Sequence, residues 1–183
     1  MAVQRTSREG RTLRWLVVVP IVGAVLDDIA YVVLIASQSE HPPDIFTVPF
    51  VAAFIALMAA MLALSLAGSP LVVRLRPALR AGAAAGLVVL GVLGAFSIGL
   101  PLLIAGFLAT GAAIRTLAGG GLPAVASEVA AAVLAVALLV VGFEVTARVI
   151  VCPPNGGTSG GSWPGIVTHG FTWECSGGRL HTS

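Results

Sequence analysis

A long stretch without any charged residue, residues 81–114, constrains this chain more than any other feature. As one straight helix it would measure about 51 Å, whereas the hydrocarbon core of a bilayer is about 30 Å thick. Gly99 and Pro101 lie in its middle, and a Gly close to a Pro favours a break. The stretch therefore predicts two antiparallel helices with a break within residues 96–102. One long kinked helix is the alternative.

The composition indicates which solvent surrounds these helices. The chain has 183 residues, of which 57% are hydrophobic and only 10% are charged, whereas a soluble domain carries about 25% charged residues. So few charged groups cannot cover a water-soluble globule. No basic stripe is interleaved with aromatic residues, so nucleic acid is not an expected partner. We expect an all-α fold, a polytopic membrane helical bundle in contact with lipid.

Three further apolar stretches predict spans, which are residues 15–37, 45–67 and 122–151. With a hairpin in the uncharged stretch the bundle, residues 15–151, has five transmembrane helices, and without it four. Residues 71–80 mix apolar side chains with Arg74, Arg76 and Arg80. This segment is too short and too charged to span, and we expect it at the membrane interface with its guanidinium groups facing phosphates.

Arginine near the membrane ends predicts the orientation. Four Arg lie within residues 1–14 and three follow the second span, whereas none lies between the first two spans. Positive charge tends to remain cytoplasmic, so residues 1–14 are expected to form a basic cytoplasmic tail. The alternative is a cleaved signal peptide. A retained span is favoured because the apolar run is long and contains Asp27 and Asp28.

The segment of residues 152–183 differs from the rest, because it is rich in Gly and Ser and holds the only two cysteines, Cys152 and Cys175. It is too small to build a core of its own. An even pair of cysteines in a short segment favours a disulfide in an oxidising compartment. We therefore expect a short irregular tail outside the cytoplasm, hence an odd number of spans. Two free thiols in a cytoplasmic tail are the alternative.

Costly polar groups lie inside two of the predicted spans. Asp27 and Asp28 are deep in the first span, with Tyr31 one turn beyond Asp27. Glu144 and Arg148 have the four-residue spacing at which opposite charges meet on a helix. With five spans, all five residues fall in the outer half of the bundle and form one candidate cluster. It would hold the helices together or bind a cation.

Small residues predict close helix packing. Gly82 and Gly86 form a GxxxG pattern, and Gly91, Ala95 and Gly99 continue at four-residue spacing. Such spacing lets helix backbones approach closely. We expect these contacts to lie within the chain rather than between two copies.

The sequence holds no nucleophile elbow, phosphate loop, HExxH or haem-attachment motif. We therefore expect no enzymatic activity, no cofactor and no metal. The favoured function is an accessory or assembly subunit of the cell membrane, whose tail meets another membrane protein. A small ion- or solute-coupled carrier using Asp27 and Asp28 is the alternative. The oligomeric state stays open.

Overall fold

The computed structural model describes residues 2–37, 46–95, 99–117, 121–152 and 158–183. These residues contain five helices, which are α1 (Ala2–Ser37), α2 (Thr47–Leu64), α3 (Pro70–Leu93), α4 (Gly99–Leu117) and α5 (Leu122–Ala147). All five are long and apolar enough to cross a membrane. The prediction of five such helices rather than four is therefore confirmed. The predicted basic tail is the first part of α1, whose apolar portion is Thr12–Ser37.

The uncharged stretch forms the predicted antiparallel hairpin. The N–H of Gly99 donates to the carbonyl of Gly94 (2.7 Å), which closes a tight connection between α3 and α4. Further along, Gly106 packs against the backbone of Val88. With increasing distance from the turn, earlier residues of α3 contact later residues of α4. This pattern is that of antiparallel helices.

The break begins slightly earlier than predicted, because α3 ends at Leu93. Residues 96–98 lie outside the described residues, and α4 resumes at Gly99. Pro101 thus falls in the first turn of α4, where its missing N–H removes no helical hydrogen bond. The Pro therefore marks the start of α4 rather than the break itself.

Residues 71–80 do not form a separate segment, because they are the first turns of α3. The prediction that they are too charged to belong to a spanning helix is therefore wrong, whereas their place at the membrane interface stays a prediction. Ser69 caps this helix by accepting a hydrogen bond from the N–H of Val72 (3.4 Å). Pro70 occupies the first helical position, where it is tolerated. Arg76 in these turns donates to the carbonyl of Ala67 (3.0 Å), in the connection that follows α2. Capping and these local bonds allow the charged segment to continue into the span.

Helix α3 is central, packing against α4, α5 and α2, while α1 packs against α4 and α2. Gly82 faces Ala131 of α5, and Gly86 faces Met58 of α2. The prediction that these small residues allow close packing within the chain is confirmed. Large side chains fill the centre, where the fully buried ones include Ile55, Met58, Leu62, Leu87, Leu102 and Leu139.

The tail is not irregular, so the all-α prediction is wrong for this segment. It forms β1 (Ser159–Trp163), β2 (Phe171–Ser176) and β3 (Arg179–Thr182), an antiparallel sheet in the order β1-β2-β3. The turn between β2 and β3 uses Gly177 and Gly178, both with positive φ (57° and 75°). A two-residue turn of this kind matches the twist of the strands it joins, and glycine adopts it without strain.

Candidate functional site

The carboxylate of Glu144 joins the helical bundle to the tail. It lies near the end of α5 and is only 8% exposed. Its Oε1 accepts hydrogen bonds from the N–H groups of Ile166 (2.6 Å) and Val167 (3.0 Å), in the loop between β1 and β2. Its Oε2 accepts from the Thr168 hydroxyl (2.6 Å). A carboxylate offers only acceptors, which suits three donors converging from one loop.

Arg148, directly after α5, completes this contact. Its Nη2 donates to Oγ1 of Thr168 (2.7 Å) and lies 3.9 Å from Oε2 of Glu144. The predicted pairing of Glu144 with Arg148 is confirmed. The Arg148 side chain is about half exposed, so the ion pair alone adds little stability. Thr168, which accepts from Arg148 and donates to Glu144, ties the two charged groups to the loop.

A disulfide provides a second connection between the bundle and the tail. Cys152, a few residues beyond α5, is bonded to Cys175, with the two Cα atoms 5.6 Å apart. The predicted bond is confirmed. Cys175 is fully buried on the central strand β2. The sheet is therefore attached covalently through its middle strand and by hydrogen bonds through one loop.

One face of the sheet is aromatic. Trp163 pairs with Phe171, and Gly161 pairs with Trp173 across β1 and β2, which places all four residues on the same face. The ring of Trp173 covers Gly161, since a Cβ there would lie 2.8 Å from the indole. Thr172 and Glu174, on the opposite face of β2, are exposed. The sheet thus has an aromatic, half-buried face and a polar, solvated face.

Asp27 lies on the inward-facing side of α1. Val17, Pro20, Ala24 and Asp27 recur at three- and four-residue spacing, and all four are buried. Asp27 is 8% exposed, and its Oδ2 has no hydrogen-bond partner within the described ranges. Asp27 therefore faces the interior of the bundle.

Asp28, the next residue of α1, is half-buried, and its Oδ1 is shielded from solvent without a hydrogen-bond partner among the residues that the structure describes. Tyr31 packs against the core one turn beyond Asp27. The hydrogen bonds of Glu144 and Arg148 go to the loop of the tail. The structure thus brings those two residues together with Thr168. A single cluster that also includes the residues of α1 stays a prediction.

Within the part of the chain that the structure describes, no group of three or more His, Cys, Asp or Glu is placed to hold a metal ion. The loop of residues 166–168 was not singled out from the sequence. It contains no charged residue, and its partner lies more than twenty positions earlier. No protein-family model, curated protein or solved structure matches this chain.

Proposed function

We propose that the chain is a five-span protein of the cell membrane, with the sheet outside the cytoplasm. The five candidate spans have 18 to 26 residues, and about 20 apolar residues are needed to cross a bilayer. Their outward surfaces are apolar, as at Leu134 (71% exposed), Phe107 (64%) and Leu26 (62%). Acyl chains solvate such surfaces, whereas water does not.

The arginines support this orientation. Four of them lie at the start of α1 and three lie in the first turns of α3. If each helix crosses once, these two ends share one side of the membrane, which is the cytoplasmic side by the bias of positive charge. The end of α5 then lies on the other side. A disulfide between Cys152 and Cys175 fits the oxidising conditions outside the cytoplasm.

The proposed role is that of a non-enzymatic accessory or assembly subunit, whose sheet binds another membrane protein. The observation that carries it is the double attachment of the sheet to α5, by the Cys152–Cys175 bond and by Glu144. A surface held in one orientation loses less entropy on binding than a free tail does. The strand order leaves β1 and β3 at the edges of the sheet, where an added strand from a partner can pair.

Photo-crosslinking in native membranes tests this role. A photoreactive amino acid replaces His181, which is exposed on edge strand β3, or Ser127, which is exposed near the opposite end of α5. We expect the probe at His181 to form one adduct of discrete mass and the probe at Ser127 to form none. A Cys152→Ala/Cys175→Ala background should abolish that adduct. Equal labelling at both positions would contradict the role. An adduct that still forms in the background without the disulfide would contradict it as well.

The second candidate is a small ion- or solute-coupled carrier, and one observation favours it. The carboxylate of Asp27 is 8% exposed within an apolar span, and its Oδ2 has no partner among the described residues. A carboxylate at such depth costs roughly 2.5–3.5 kcal/mol on insertion scales. A bound proton or metal cation would offset that cost. Asp28, directly beside it, would contribute a second oxygen ligand.

An Asp27→Asn/Asp28→Asn variant separates the two candidates. A carrier predicts that the purified protein in liposomes moves protons or sodium ions and that this variant stops the flux while folding normally. An assembly subunit predicts no flux in either protein and an unchanged adduct at His181. Glu174→Gln, on the exposed face of the sheet, is the matched control because it removes a carboxylate outside the spans.

A further inference from the structure

A cationic cavity lies at the end of the bundle opposite to the sheet. It has a volume of about 370 Å³ and opens between the first turns of the apolar part of α1, the end of α2 and the first turns of α3. Its lining residues are Leu13, Arg14, Ser65, Leu66, Arg76 and Arg80. Three of these six lining residues are arginines, and none of the six is acidic.

Arg80 is the most deeply placed of the three, with only 3% of its surface exposed. Its Nε donates to Oγ of Ser65 (3.3 Å), and that hydroxyl in turn donates to the carbonyl of Leu62 (2.7 Å). Its Nη1 is buried and has no hydrogen-bond partner in the part of the chain that the structure describes. A buried guanidinium with an unused donor is costly unless an anion compensates it.

Arg76 repeats this arrangement one turn earlier on α3. Its Nη2 donates to the carbonyl of Ala67, just after α2 (3.0 Å), while its Nε is buried without a hydrogen-bond partner among the described residues. Arg14 adds a third, exposed guanidinium from α1. Among the side chains that the structure describes around the cavity, no carboxylate balances these charges. The cavity therefore has donors and positive charge available for a ligand.

We propose that this cavity binds a phosphate group, carried either by an anionic phospholipid headgroup or by a soluble phosphorylated compound. The fork of donors on arginine matches the oxygens of a phosphate, and charge-assisted hydrogen bonds of this kind are strong. Leu13 and Leu66 form an apolar part of the wall, which suits the glycerol and first acyl carbons of a lipid. Basic pockets between spans at the cytoplasmic surface are known to take such headgroups.

Binding of a lipid headgroup rests on the membrane insertion proposed above, whereas binding of a soluble phosphorylated compound does not. Neither depends on what the sheet binds, because the sheet follows the far end of α5. Failure of the partner role would therefore leave this site untouched. If the chain does not insert into a membrane, only the lipid headgroup is excluded as the ligand of the cavity.

Binding to the purified full-length chain in detergent tests the proposal. Native mass spectrometry and thermal unfolding are followed with added phosphatidylglycerol, phosphatidylcholine or inorganic phosphate. We expect phosphatidylglycerol to bind and stabilise the chain more than phosphatidylcholine does. If millimolar inorganic phosphate leaves that binding unchanged, the ligand is a headgroup; if phosphate alone binds and displaces the lipid, the ligand is a soluble phosphate. Equal effects of both lipids with no effect of phosphate would overturn the proposal.

Variants of the cavity provide the second comparison. Arg80→Gln and Arg14→Gln are each expected to weaken binding by about tenfold, because each removes a charge-assisted contact. Arg74→Gln is the matched control, since Arg74 is exposed on the same helix and does not line the cavity. It should change affinity by less than about twofold. Arg14→Gln, at an exposed position, keeps the test valid if Arg80→Gln does not fold. Equal losses in Arg14→Gln and Arg74→Gln would show general charge attraction and contradict a built site.

Discussion

The hydroxyl of Thr168 donates a 2.6 Å hydrogen bond to the carboxylate of Glu144, joining two residues that are 24 positions apart in the chain. The same hydroxyl accepts from Arg148. A loop of the sheet is thereby attached to the last turn of α5 through side chains as well as through the disulfide. The position of the sheet relative to the bundle depends on this contact, and so does the binding role proposed for it.

Replacing Glu144 tests how much of that attachment is due to its carboxylate. Glu144→Gln keeps an oxygen for the amides of Ile166 and Val167 but puts a donor where Oε2 accepts from Thr168. We expect hydrogen exchange at those two amides to accelerate by on the order of tenfold, with the sheet still folded. Glu174→Gln, on the solvated face, is the control. Unchanged protection in Glu144→Gln would show that the loop is held by other contacts.

Removing the disulfide tests the second attachment. A Cys152→Ala/Cys175→Ala variant is expected to lose about 3 kcal/mol of stability in the tail, because the unfolded segment regains the freedom of its closed loop. Hydrogen exchange and limited proteolysis should show residues 158–183 opening while α2, α3 and α5 stay protected. Alanine is chosen because Cys175 is fully buried and serine would leave a buried hydroxyl. Opening of the helices together with the tail would contradict an independent attachment.

Close packing between α2 and α5 depends on Gly142. A side chain at this position would collide with the ring of Phe50, and that ring also packs edge-on against Phe143 with 5.5 Å between centroids. Gly142→Val is therefore expected to destabilise the folded bundle by about 1–3 kcal/mol. Gly111→Ala on α4 is the matched control, because nothing lies within 4 Å of its added Cβ. Thermal unfolding in detergent checks both, and equal stabilities would disprove this role of Gly142.

Much of the bundle could be predicted because the thickness of a bilayer limits the length of a helix that can span it. The uncharged residues 81–114 were too long for one span, and the hairpin followed from that mismatch. The bond between Cys152 and Cys175 followed from their isolation in a small polar tail. In both cases one physical constraint left few alternatives.

Other features depended on contacts that no local pattern reveals. The charges of residues 71–80 predict a separate segment that does not span, yet Arg76 and Arg80 hydrogen-bond to residues just after α2 and the segment continues as helix α3. The alternation of Phe171, Trp173 and Cys175 before two glycines is a hairpin pattern that the Gly- and Ser-rich composition obscured. The contact of Glu144 with Thr168 forms only once the sheet exists.

The side of the membrane on which the sheet lies tests the central claim most directly. A membrane-impermeant maleimide is added to intact cells, with and without a membrane-impermeant reductant. Cys152 and Cys175 are expected to react in intact cells only after reduction, because they are bonded to each other outside the cytoplasm. A Ser7→Cys variant, in the N-terminal segment, should react only after the cells are permeabilised. Labelling of Cys152 and Cys175 that requires permeabilised cells would place the sheet in the cytoplasm and contradict the five-span arrangement.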